Sequence, residues 1–327
     1  MTDFDIIIIG GGPAGAATAI QAARGGASVA IFEKSSLGRD KVCGDGLTPR
    51  AIGALQDLEI DIKGVHKITG LRMIAGKTRR ELEWPSGGTF PSYGAVWTRK
   101  ELDSHLLETA SQSGAKIFYN SEALPMFDGD QVIGVTSGSD RWTSKLVVAA
   151  SGAPGKVARM LGTERKTDEP YGIAIRTYVE SPRHADEYLE ASLAMRDSNG
   201  TPIPGYGWMF PTGKGTVNLG VGALSTMKGF RKLNLNTLCD IYRDSIADEW
   251  EVGPYLEKPR AWRLPMTSQK RHLVVVCDES IKSCFEVLLG TIVHVSNYIF
   301  PYELKIREFA SMIYPSEFPQ DRMGEHA

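Results

Sequence analysis

Hydrophobic residues near the start of the chain run together without alternation. Ile6, Ile7, Ile8 and Ile9 form a β-branched block within residues 4–9, the pattern of a parallel strand covered on both faces. A glycine-rich turn follows, and then the small residues Ala16, Ala17, Thr18 and Ala19 open a helix. A second apolar strand is predicted over residues 28–32. Further on, Thr48 and Pro49 read as an N-cap and first-turn pair for a helix running to Leu58. Arg99, Leu102, Asp103 and Leu106 carry helical spacing. Residues 132–135 and 145–149 read as strands of a small meander joined by the turn at 137–140. In the middle of the chain the period changes to two. Tyr206, Trp208 and Phe210 alternate with other residues and so share one face of a strand, and residues 217–222 supply the next strand.

Composition narrows the class. The chain has 327 residues, enough for one large or two closely packed domains. Its net charge of −2 and the lack of a long basic run argue against nucleic acid as a partner. The 35 glycines suit an α/β protein with tight turns and close backbone approaches to a ligand. Cys43, Cys239, Cys277 and Cys284 show neither CxxC spacing nor nearby histidines, so no metal site is expected and a reducing cytoplasm fits. The polar, acidic first residues do not resemble a secretory leader. The apolar stretch at 285–300 is short and interrupted by Glu286 and His294, which argues against a membrane span.

The glycine run carries chemistry. Gly10, Gly12 and Gly15 stand between a strand and a helix in the GxGxxG spacing, with Pro13 and Ala14 inside it. Gly10 permits the tight turn, Gly12 lets a pyrophosphate reach the backbone, and Gly15 lets helix and strand pack closely. The helix N-terminus then offers free N–H groups and a positive dipole end to phosphate. Glu33, at the end of the second strand, can accept the ribose hydroxyls of an adenosine. This unit serves FAD and NAD alike.

The segment from Arg39 to Arg50, containing Cys43, Gly44, Asp45 and Gly46, resembles the geranylgeranyl reductase family of FAD enzymes, and within it the actinobacterial menaquinone side-chain reductases. Trp84 and Pro85, the 90–94 run, and Arg99 with Leu102, Asp103 and Leu106 extend the likeness. Residues 204–211 resemble that family's Tyr-x-Trp-x-Phe-Pro signature. The resemblance implies FAD as cofactor, contacted by Gly10, Gly12, Pro13, Ala14, Gly15, Glu33, Lys34, Arg39, Cys43, Gly44, Arg99 and Asp278. It places Cys43 near the isoalloxazine and the substrate as the catalytic candidate, and it gives Tyr206, Trp208 and Phe210 to an apolar tunnel for a polyprenyl chain. Read from the residues alone, Cys43 also suits a small buried hydrophobe, Arg99 a surface position, and the aromatic stripe a face packed on a core helix. Ser151 departs from the Ala-Asp-Gly found at that turn in many flavoproteins of this fold.

The resemblance runs from Asp5 to about Met266. Beyond it the family's Pro-x-x-Gly-x-Gly loop is missing or replaced, because Gly290 is the one glycine between Met266 and Gly324. A reading-frame change near Met266 would produce this pattern. A strand at 273–276 and Asp278 remain from the expected end of the fold.

The expected fold is α/β. A doubly wound FAD-binding domain, Rossmann-like and of the hydroxybenzoate-hydroxylase type, comprises residues 1–65, 96–165 and 266–327. It is interleaved with an antiparallel β substrate domain at 66–95 and 166–265. The implied reaction is reduction of an isoprenoid C=C bond in a menaquinone or geranylgeranyl lipid, with an unidentified electron donor. The protein would be cytoplasmic, peripheral at the inner face of the cell membrane. Two other readings stay open: a flavin monooxygenase, and a degenerate relative that retains little flavin.

Overall fold

The computed structural model describes residues 2–152, 155–162, 170–265 and 274–276. The Ile6–Ile9 block lies at the centre of a sheet, as its two-sided hydrophobicity demands. The strands Lys116–Phe118, Val29–Phe32, Phe4–Ile9 and Asp140–Ala149 run parallel in that order. Asp140–Ala149 is long enough to continue into an antiparallel meander with Gln131–Ser137 and Ala123–Asp128. The strand expected near 273–276 is present as Val274–Val276 and pairs antiparallel with Asp140–Ala149.

The two faces of this sheet are covered differently. Helices Pro13–Arg24 and Arg99–Gln112 cover one face, with Ile6, Ile8, Ile20, Leu102 and Leu106 among its fully buried residues. On the other face Ile7, Ile9, Val132, Val135 and Val147 meet beneath the meander. There Phe32 stacks on Phe118 with ring centroids 4.6 Å apart. The meander therefore takes the place that crossover helices fill in a purely α/β protein. Thr48 caps helix Pro49–Asp57 as expected, accepting the N–H of Ala51.

A second sheet has the strand order Arg260–Pro265, Tyr171–Glu180, Thr216–Leu224, Gly205–Pro211, Tyr188–Ser192, Gly70–Ala75, Thr78–Glu83. It is antiparallel except where Tyr188–Ser192 and Gly70–Ala75 run parallel. Helix Leu235–Trp250 packs on one of its faces over Met209, Leu219 and Val221. The fit there is close: a Cβ on Gly207 would lie 2.6 Å from the Tyr242 ring. The opposite face, which carries Tyr206, Trp208 and Phe210, is turned toward the loop that follows Phe32. A small sheet of Gly46–Leu47, Gly94–Val96 and His66–Ile68 anchors the end of that loop.

Candidate functional site

The glycine turn has the geometry its spacing predicts. Gly10 has φ +109°, and a Cβ there would fall 2.5 Å from the Ala150 carbonyl oxygen. A Cβ on Gly15 would stand 1.9 Å from the Gly10 carbonyl oxygen, so helix and strand touch through their backbones. Gly12 differs. A Cβ there would meet only the Arg39 guanidinium, at 3.6 Å. Gly12 N-caps helix Pro13–Arg24, which has no side-chain cap of its own, so its first N–H groups face open space beside a cation. That leaves room for an anion at the helix N-terminus.

Glu33 is buried at the end of its strand. Its Oε2 accepts the Gly11 N–H at 2.8 Å, its Oε1 accepts the Ser35 N–H at 2.9 Å, and Arg39 Nε stands 3.4 Å away. The carboxylate is thus held rigidly beside the glycine turn. Lys34, the next residue, is exposed. Arg39 also reaches Asp103 at 3.2 Å. Arg99 does not lie on the surface: it is buried, and Nε and Nη2 grip Asp103 at 2.7 and 2.9 Å. Burial opposes its charge, but the Asp103 carboxylate more than compensates and raises its pKa.

Register explains the second half of the site. Trp208 lies opposite Gly220, and Gly220 opposite Arg176; Phe210 lies opposite Asn218, and Asn218 opposite Tyr178. These rows share the face that the helix leaves free. Trp208 spreads over Gly220, where a Cβ would sit 2.2 Å from the ring. The ring centroids of Tyr206, Trp208 and Phe210 follow at 5.5 and 6.2 Å. The stripe therefore does not pack on a core helix.

The loop from Arg39 to Gly46 is laid along this face. Asp40 accepts from Arg176 at 2.6 Å, and Lys41 Nζ stands 3.2 Å over the Trp262 ring. The Cys43 carbonyl accepts from Asn218 Nδ2 at 2.8 Å. A Cβ on Gly44 would lie 3.0 Å from Phe210 and 3.4 Å from Trp208 Nε1. Trp208 and Phe210 are thereby covered, while Tyr206 stays half-buried. Cys43 is half-buried too, a free thiol. Burial raises its pKa, against the pull of the Arg99 charge. Burial, followed by the Cys43 charge, raises that of the Tyr206 hydroxyl. Burial thus favours the protonated form of both groups.

Sequence reasoning passed over several residues that the fold brings here. The buried Arg176 and Asn218 and the half-buried Tyr178 form a polar layer under the loop and meet Asp45, buried within it. Arg176, a charge in the middle of the strand Tyr171–Glu180 between apolar residues 172–175 and Val179, was the visible signal. Among the described residues Lys41 Nζ is buried without a hydrogen-bond partner, and its pKa is lowered to about 8 by burial, then by Arg99 and Arg39. Asp278 lies outside the described residues, as do Cys277 and Cys284.

A glycine turn whose helix N-terminus opens beside Arg39, with a rigid acidic residue next to it, defines a dinucleotide-binding protein, and these residues fit the FAD group. The chain belongs to the FAD binding domain family, whose model matches residues 3–213. It is 37% identical over 263 residues to the menaquinone reductase of Mycobacterium tuberculosis, covering 79% of this chain and 63% of that protein. A menaquinone reductase of Mycolicibacterium smegmatis is 37% identical over 269 residues, covering 80% and 64%. The digeranylgeranylglycerophospholipid reductase 2 of Methanosphaera stadtmanae is 28% identical, covering 68% and 58%. The chain therefore spans less than two thirds of the length of the curated relatives it matches. A geranylgeranyl bacteriochlorophyll reductase-like protein from Thermoplasma acidophilum shares the fold, with a TM-score of 0.70 at 20% identity, over 95% of this chain and 83% of its own.

Proposed function

We propose that the chain is an FAD-dependent oxidoreductase that reduces an isoprenoid C=C bond of a menaquinone or geranylgeranyl lipid. One observation carries the reading: the Cys43 loop lies on the Tyr206/Trp208/Phe210 face, so the two motifs most specific to the reductase resemblance form one site. When bound, FAD supplies the hydride chemistry.

The chain's own residues have separable tasks. Gly10, Gly12, Pro13, Ala14 and Gly15 shape the pyrophosphate cradle, Glu33 receives the ribose, and Lys34 and Arg39 flank it. Cys43, Gly44 and Arg99 border the flavin ring. Tyr206, at the half-buried end of the stripe, meets the apolar chain, and Trp208 and Phe210, covered by the Cys43 loop, back that wall and keep water away from it. Cys43, a protonated thiol beside the Tyr206 hydroxyl, is the group to hold the proton that an alkene carbon needs. An alkene without activation is a poor acceptor, so alignment supplies much of the acceleration. The segments 1–65, 96–165 and 266–327 act as the cofactor domain, and 66–95 with 166–265 as the substrate domain. A polyprenyl substrate brings the protein to the inner face of the cell membrane, although no helix among the described residues is long and apolar enough to cross it.

The test is anaerobic. Purified protein supplied with FAD should show a bound-flavin absorption spectrum that bleaches on reduction and returns when a prenylated quinone or geranylgeranyl lipid is added, with a saturated product found by mass spectrometry. Oxygen uptake driven by NAD(P)H on an aromatic substrate would replace this reading with the monooxygenase one. Failure to bind added FAD would leave the degenerate relative.

A further inference from the structure

Asp45 is among the most completely buried charged residues of the described chain, 1% exposed, yet it sits in a surface-facing loop between Gly44 and Gly46. Its φ of +64° is a left-handed conformation that Asp and Asn adopt more readily than other residues with a side chain. Three elements converge on its carboxyl group. Oδ1 accepts the Arg99 N–H at 3.1 Å, while Oδ2 accepts Asn218 Nδ2 at 2.8 Å and the Tyr178 hydroxyl. The Asn218 amide has one workable orientation. Nδ2 donates to Asp45 and to the Cys43 carbonyl, and Oδ1 accepts from Trp208 Nε1 at 2.9 Å. Reversing it would set oxygen against both acceptors and the amino group against the indole N–H. The hydrogen bonds therefore run in one direction, from indole through amide to carboxyl, and they join the aromatic face to the Cys43 loop.

We propose that Asp45 is a positioning residue that, through Asn218 and Tyr178, locks the Cys43 loop and the Trp208 ring into one unit. The inference rests on the reductase reading for its purpose, but its geometry does not. The titratable and charged groups facing Asp45 are Tyr178 and Arg176 from strand Tyr171–Glu180, Arg99 from helix Arg99–Gln112 and Cys43 from its own loop. Burial raises the Asp45 carboxyl, opposed by its bonds from Tyr178 and Asn218. The Asp45 charge in turn adds to the burial that raises the Cys43 thiol.

Asp45→Asn keeps the size and tolerates the left-handed backbone. It removes the charge, however, and sets an amino group against either Asn218 Nδ2 or the Arg99 N–H. The measurement is alkylation of Cys43 by iodoacetamide in the full chain, read at the Cys43 peptide by mass spectrometry from about pH 6 to about pH 10. Asp45→Asn should react roughly tenfold faster, with its profile displaced to lower pH, because the thiolate is the reacting species. Asn218→Ala, which breaks the tie and leaves the Asp45 carboxyl in place, should also react faster, with its profile displaced less than in Asp45→Asn. Rates and midpoints matching the parent chain, with native circular dichroism, would overturn the proposal. Should Asp45→Asn not fold, Asn218→Ala decides alone, and an unchanged Cys43 rate in it overturns the proposal equally. Where turnover is present, Asp45→Asn should lower kcat with little change in KM for the prenyl substrate, and a loss confined to KM counts against a positioning role. The thiol measurement needs neither flavin nor lipid. Absent turnover with a responsive Cys43 profile would therefore reject the reductase reading and leave the positioning role standing.

Discussion

Lys41 shows how burial and neighbouring charge act on a single side chain. Among the described residues its ammonium has no hydrogen-bond partner; it lies over the Trp262 ring, and the charges of Arg99 and Arg39 add to burial in lowering its pKa to about 8. Below about pH 8 the folded and unfolded chains both carry this proton, and the folded one bears the whole cost of sheltering it. Between about 8 and the ordinary value of 10.5 the unfolded chain still binds the proton while the folded one does not, so stability rises with pH across that window. Lys41→Met should therefore stabilise flavin-free protein at pH 7 by on the order of 1–2 kcal/mol, discounted for partial exposure. The gain should vanish near pH 10.5, the ordinary lysine value. Thermal melts of both chains at the two pH values check this. A gain of equal size at both would show that apolar packing, not charge, is responsible. Arg99 illustrates the opposite case of a buried cation with its partner in place, since Asp103 lies one helical turn away. That spacing was legible in the sequence, but the burial that makes it matter was not.

Elements set which glycines the fold needs and which the ligand needs. Gly12 leaves open space toward Arg39, so the folded chain can accommodate a side chain there. Gly12→Asp should abolish flavin binding, because a carboxylate would fill the phosphate position at the helix N-terminus. Unfolding in urea should change by less than about 1 kcal/mol. Flavin content and a urea titration separate the two effects, and retained flavin would sink the cradle assignment. Gly220 is the contrary case. A Cβ there would lie 2.2 Å from the Trp208 ring and 2.6 Å from the Ile175 carbonyl, with backbone on one side that cannot yield. Gly220→Ala should destabilise by about 2–3 kcal/mol, measured by urea unfolding, as overpacking of a close contact does. Unchanged stability would show that Trp208 moves freely, contrary to its bond with Asn218.

For the whole molecule, the question is how the flavin is closed in from its second side. The resemblance stops near Met266, and the residues that follow carry no Pro-x-x-Gly-x-Gly loop. Backbone amides of such a loop would add hydrogen bonds of roughly 0.5–1.5 kcal/mol each. The protein should therefore hold FAD weakly and lose it on purification, and a chain with residues 267–327 replaced by a family-type tail should retain it. Flavin stoichiometry and Kd for both chains test this. Tight, stoichiometric flavin in the present chain would show that its own tail supplies a substitute.

Local pattern determined much about this protein by itself. The strand at residues 4–9, the helix caps and the alternation of Tyr206, Trp208 and Phe210 depend on spacing between near neighbours, and spacing is written in the chain. The GxGxxG turn belongs with them, because its demands on Gly10 and Gly15 arise within one strand–turn–helix unit. Only the tertiary structure decided what each face meets. The meander covers one side of the parallel sheet, and the helix Leu235–Trp250 takes the side of the second sheet away from the aromatic rings. Asp45, Tyr178 and Asn218 are far apart in the chain, and none carries a local signal of the bonds it makes. They meet because strand register puts Tyr178 beside Asn218, and the loop lays Asp45 over both. Long-range polar pairing of this kind has no period along the chain, so it comes into view when the sheets are folded together.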